Sequence, residues 1–255
     1  MNEFDCVSEY CRKRDEIVLS DPESKLFSPR STPIFYSAFY DSYNRYILAL
    51  NHEIKMLRRH IRSLRAWTEV EQSHLDDLEG TVWGCILSDY VEPTVRSAID
   101  LPKEIKDKIY QATWKLSIIA QSGAEGAMSI EEIAEKNTSK YKLFEAHGMK
   151  SPELDCLREC LDALHGKEHI GANLLEKLHG EKHHDILSPI HMGYPYVRVK
   201  KDASSGMIVV HHAEDRLDWH SLIPTIDAQR VLAQKAYVAF HDYAEKLISS
   251  GLHFG

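Results

Sequence analysis

The chain has 255 residues, 43% apolar and 27% charged, with 31 basic residues against 39 acidic ones for a net charge of −8. That length can bury a substantial core, as one large domain or two small ones. The acidic balance excludes a protein whose whole surface grips nucleic acid, and leaves room only for a local basic patch.

No apolar run reaches the roughly 18 residues of a membrane span, and the opening MNEFDCVSEYCRKRDE is too charged for a signal peptide. Cys6, Cys11, Cys85, Cys156 and Cys160 are scattered, with no CxxC. A cytoplasmic, reducing location and no membrane partner are therefore expected.

Residues 1–32 mix charge with Asp21-Pro22, Ser28-Pro29 and Thr32-Pro33, which predicts an irregular N-terminal arm with a short helix near Glu9–Val18. Thr32 then caps a helix with Pro33 at its first position, where the missing N–H costs nothing. Ile47, Leu50, Ile54, Leu57, Ile61 and Leu64 repeat at spacings of three and four, a heptad seam that predicts a long helix from Pro33 to about Glu79 with a break near Trp67-Thr68. Such a seam must meet a partner, by default in its own chain and otherwise across a dimer.

Trp83, Ile86, Leu87 and Tyr90 mark a shorter helix that Pro93 should end. Pro102 should open the next, with Ile105, Ile109, Ala112, Leu116 and Ile119 inward, closing near Gly123. Ser129 and Glu132 form a capping box for another. Ser151-Pro152 starts a helix bearing Leu154, Leu157, Leu161 and Leu164 and ending at His165-Gly166, and a short one follows around Ala172–His179. Tyr196–Lys200 and Met207–His211 read as a hairpin. After Pro224, Thr225 caps a long terminal helix carrying Ala228, Leu232, Ala236, Ala239, Tyr243 and Leu247. The expected fold is all-α: one multi-helix bundle over residues 33–255, with long N-terminal and C-terminal helices and a small β-hairpin near 196–211.

Nine of the fifteen histidines fall between His165 and His220, where acid–base or metal chemistry would live. Arg158 and His165 are seven residues apart. In a continuous helix they share a face two turns apart, about 10 Å along the axis. A phosphodiester could sit between them, the imidazole moving a proton and the guanidinium holding a phosphorane. Arg45 and His52 repeat the spacing in the long helix. A histidine and a glycine are also an ordinary way to end a helix.

Arg-x4–6-His at a helix end, with long helices before and after it, resembles the HEPN families of helical bundles in RNA-targeting defence and toxin–antitoxin systems. The resemblance implies a homodimer whose motifs face each other across a cleft, with Arg158 and His165 cutting RNA without a metal or other cofactor. It also implies a possible antitoxin or partner protein. Some such bundles have lost cleavage and only bind.

Lys55, Arg58, Arg62 and Arg65, with Arg59 and His60 beside them, line one flank of the long helix and suit an RNA backbone or an acidic partner. Long basic stems on a solvated flank are the alternative. Metal binding is a third reading: Glu71-x-x-His74 could pair with Glu176-x-x-His179, although the polar run around Glu71 suits a solvated face. No residue is assigned to a metal. SIEEIAEK at Ser129–Lys136 lacks a following recognition helix, and no nucleotide-loop or serine-hydrolase motif occurs.

Overall fold

The computed structural model describes the backbone of residues 2–19, 26–31, 37–74, 80–134, 139–165, 190–191, 197–201, 208–212 and 217–250, and the side chains of these except 37, 80–81, 122–129, 131–134 and 190–218. The fold is helical: α1 (Glu3–Glu16), α2 (Ser37–His74), α3 (Gly80–Ile86), a π-helical turn (Leu87–Val91), α4 (Glu92–Ala134), α5 (Lys140–His147), α6 (Pro152–Ala163) and α7 (Trp219–Ser249). Val197–Lys201 and Ile208–His212 pair antiparallel, with Val199 opposite Val210. Ile190–His191 runs parallel to Leu217–Asp218. Among the described residues, no helix is long and apolar enough to cross a membrane. The proposed start at Thr32-Pro33 and the helix around Ala172–His179 lie outside the described residues.

Two compact units emerge, each built from three stretches of chain: Met1–Val18, His60–Ile99 and Glu176–Ile226 in the first; Leu19–Arg59, Asp100–Leu175 and Asp227–Gly255 in the second. The seam of α2 is buried as its period requires, with Ile47, Leu50, Ile54, Leu57, Ile61 and Leu64 all at 0–1% exposure. A single chain therefore covers it, and no second copy is needed.

In the first unit, the short helix expected near Glu9–Val18 starts earlier and is longer, a 14-residue helix at Glu3–Glu16. Asn2 caps it by accepting from Asp5 N–H, Glu3 and Asp5 meet the positive pole, and Cys6 is buried. Tyr10 stacks on Trp67 with ring centroids 4.2 Å apart, and its hydroxyl donates to Ser63 Oγ at 2.9 Å. The break expected at Trp67-Thr68 is absent, because Trp67 is anchored in the core at 1% exposure and the Thr68 hydroxyl donates to Leu64 O within the helix.

Proline positions misled the boundaries. Pro93 does not end a helix. The preceding turn widens so that Glu92 N–H reaches Leu87 O, and Pro93 follows as the second residue of α4, its missing donor placed where the helix changes from π to α spacing. Pro102 does not open a helix either, but lies inside α4. An interior proline costs about 3 kcal/mol, and here the surrounding turn compensates by burying Leu101, Pro102 and Ile105. α4 continues past Gly123 and through Ser129–Glu132, so no new helix starts there. Pro224 is likewise inside α7, which begins at Trp219 rather than after the proline.

In the second unit, residues 26–31 are strapped to their surroundings. Asn44 exchanges two 2.8 Å hydrogen bonds with the backbone of Arg30. Asn51 donates to Phe27 O and accepts from the Tyr237 hydroxyl. Phe27 stacks on His241 at 3.5 Å. The Tyr243 hydroxyl lies 2.6 Å from Ser117 Oγ and accepts from Met149 N–H at 2.9 Å, which fixes the chain between α5 and α6. Trp114, Ile118 and Leu143 pack together, with Ile130 against them.

His241 gives the fold a pH dependence. Burial pushes its imidazole below the ordinary histidine range, outweighing the nearby Glu245 and Asp242 carboxylates that pull it up. The unfolded chain thus binds a proton that the folded chain resists. This contribution is whole above the unfolded imidazole pKa and lost as pH falls through the folded one. Urea titrations from pH 7 down to pH 5 should show stability falling, with a shallower fall in His241→Phe. Equal slopes in the two proteins would refute the assignment.

Candidate functional site

Ser151 and Pro152 start α6 as their chemistry dictates: the hydroxyl accepts from Leu154 N–H at 3.2 Å, and the proline takes the first helical position. Leu154, Leu157 and Leu161 are buried, which turns Arg158 toward the half-exposed side. Its Nη1 donates to Asp155 Oδ1 at 2.7 Å, and its Nε and Nη2 donate to Glu145 at 3.1 and 3.4 Å. The guanidinium lies 5.8 Å from the centroid of the Phe144 ring. These partners, Glu145 first, push its pKa still higher. The fork that was to grip a phosphate already grips two carboxylates.

His165 departs from the expected geometry. The helix stops at Ala163, Leu164 is its extended C-cap, and His165 takes a left-handed φ of 52°. That is the position a helix end usually gives to glycine, one residue before the glycine that the sequence offers at Gly166. Its backbone N–H donates to Gln229 Oε1 at 2.9 Å, and the residue is 9% exposed. Lys106 Nζ meets the end of the helix by donating to Leu164 O at 2.8 Å, a cation at the negative pole. Two turns of continuous helix never form between Arg158 and His165. The structure therefore does not bring them together as a solvent-facing pair.

The basic residues of α2 differ among themselves. Lys55 and Arg59 are exposed, while Arg58, Arg62 and Arg65 are half-buried. Lys55, Arg58 and Arg59 belong to the second unit, and Arg62 and Arg65 to the first. Arg45 and His52 are exposed on the same helix.

The Glu71/His74 pairing for a metal is taken apart by other partners. His74 Nε2 lies 2.5 Å from Glu9 Oε2, and Glu71 Oε2 lies 2.6 Å from His220 Nε2. Glu176 and His179 fall outside the described residues. Among the described residues, no group of three or more histidine, cysteine or acidic side chains could hold a metal.

Sequence reasoning missed a third arrangement in the first unit. His220, the second residue of α7, puts Nε2 on Glu71 and Nδ1 3.3 Å from Thr68 Oγ1. Beside it opens a cavity of about 310 Å³ lined by Arg65, Thr68, Glu69, His220, Ile223 and Pro224. Only the three-residue spacing of Thr68 and Glu71, which puts both on one face of α2, was visible locally. The histidine lies 152 residues beyond Thr68.

No family model, no curated protein and no solved structure matches this chain.

Proposed function

We propose that this chain is a HEPN-like helical protein that binds RNA without cutting it through Arg158 and His165. One observation carries the non-cleaving half: the guanidinium is held by Glu145 and Asp155, and His165 is buried past the end of α6. A general acid–base must reach the reacting proton, and a phosphorane clamp must offer its donors. The burial of His165 and the two carboxylates on Arg158 support the non-cleaving reading. The RNA half rests on the resemblance of the helical layout, which includes bundles that bind and do not cut. It is supported by Lys55 and Arg59, exposed one turn apart on α2.

The test is titration of a labelled single-stranded RNA in the presence of chelator, with gel analysis of the RNA afterwards. Binding should weaken steeply with salt, since each neutralised phosphate on a single strand contributes about 0.7 to the logarithmic slope. The Lys55→Ala/Arg59→Ala double variant should bind several-fold more weakly, and the RNA should stay intact. Cleavage that vanishes in a folded Arg158→Ala variant would overturn the non-cleaving half. No binding even at low salt would overturn the RNA half.

A further inference from the structure

The side chains of Thr68 and Glu71 leave α2 on the same face, and His220 of α7 lies against both. The order is carboxylate, imidazole, hydroxyl. Glu71 Oε2 sits 2.6 Å from Nε2, close enough to fix the ring and claim the Nε2 proton, which leaves Nδ1 facing Thr68 Oγ1 at 3.3 Å. A nucleophile within reach of a base that a third group orients is the recurring arrangement of covalent catalysis, and resting distances are often longer than reacting ones. The Thr68 hydroxyl has one hydrogen and two acceptors, Leu64 O at 3.0 Å and His220 Nδ1 at 3.3 Å, so a rotation about one bond hands it to the base.

The surroundings match that chemistry. Thr68 and His220 both line the 310 Å³ cavity, whereas Glu71 is absent from its wall and stands behind the ring, where an orienting carboxylate belongs. The volume is at the lower end of the about 300–1,000 Å³ typical of small-molecule pockets. Arg65 lines the cavity one turn before Thr68 and offers positive charge where a carbonyl oxygen would become anionic. Ile223 and Pro224 give a short apolar wall. Glu69, the remaining lining residue, has its carboxylate 3.5 Å from Lys13 Nζ.

We propose that Thr68, His220 and Glu71 form a hydrolytic site for small carboxylic esters, independent of the RNA-binding reading. Thr68 Oγ1 attacks the ester carbonyl as its proton passes to His220 Nδ1, and Arg65 faces the tetrahedral oxyanion. The C–O bond to the leaving alcohol breaks, and that oxygen takes the proton from Nδ1. Water then attacks the acyl-threonine carbonyl and gives its proton to Nδ1, which returns it to Thr68 Oγ1 as the acid leaves. One ester and one water become one acid and one alcohol. Glu71 is a positioning residue that holds the ring and balances the imidazolium.

The full-length protein is assayed with p-nitrophenyl acetate, and a fluorophosphonate probe is mapped by peptide mass. The probe should label Thr68. Thr68→Val, which keeps the side-chain shape, should lose about a hundredfold or more of the rate, in the range for losing nucleophile activation, while Thr68→Ser keeps it. Glu71→Gln should lower kcat with KM unchanged, and Glu71→Asp should recover part of it. RNA binding by Thr68→Val should match the parent, which separates this site from the RNA reading. A helical, folded Thr68→Val that turns over the ester at the parental rate, or labelling confined to other residues, would overturn the proposal.

Discussion

Trp67→Ala should destabilise the protein by about 3–5 kcal/mol, the range for emptying a buried tryptophan site. Trp67 is 1% exposed, stacks on Tyr10 with an interplanar angle of 7°, and meets Trp83 edge-on and Tyr90 at a tilt. Three aromatic side chains, from α1, α3 and the π-helical turn, therefore depend on one indole. Each close aromatic pair adds about 0.5–1.5 kcal/mol beyond its area, so alanine loses packing and ring contacts together. The loss is a large part of the about 5–15 kcal/mol typical of whole folds, and the Ala variant should melt roughly 10 °C lower. Trp67→Phe keeps a ring in the site and should recover much of the loss. Urea unfolding of both variants checks this. Equal midpoints for Phe and Ala would mean that the stack contributes nothing.

The long seam of α2 was legible because a spacing of three and four kept up over nearly three heptads arises where one stripe of a helix is buried, and its six aliphatic residues are all in the core. The start of α6 was legible because Ser151 and Pro152 act within a single turn. Prolines were read as boundaries on local grounds that tertiary packing overrides. Pro93 sits in a first turn reached through a π-helical widening, while Pro102 and Pro224 lie inside helices. The N-terminal helix was legible only in part, near Glu9–Val18, because its packing depends on Tyr10 finding Trp67, 57 positions away. The Glu71 run looked solvated because its partners, Glu9, Lys13 and His220, come from distant stretches of chain. Local chemistry thus located the elements that need only themselves. It could not locate a site whose members meet only on folding, nor show that Arg158 would find Glu145.

Gln229→Leu should cost about 1–3 kcal/mol, and the reason bears on what His165 does. Gln229 is fully buried, and its Oε1 accepts the backbone N–H of His165 at 2.9 Å. Leucine keeps most of the volume but orphans a buried N–H, which forfeits its full desolvation cost. That N–H belongs to a residue in the left-handed region, where a side chain other than glycine is held only by its surroundings. Losing the anchor should release the turn, so denaturation midpoints should drop and the amide of residue 165 should exchange faster. His165→Gly tests the same turn from the other side. Glycine adopts φ of 52° without strain but gives up the buried ring, so the two effects oppose and the net change should be small. A structural histidine predicts this pattern, with Gln229→Leu costly and His165→Gly mild. If Gln229→Leu were neutral, the buried turn would not be what fixes His165, and its claim to a role in chemistry would reopen.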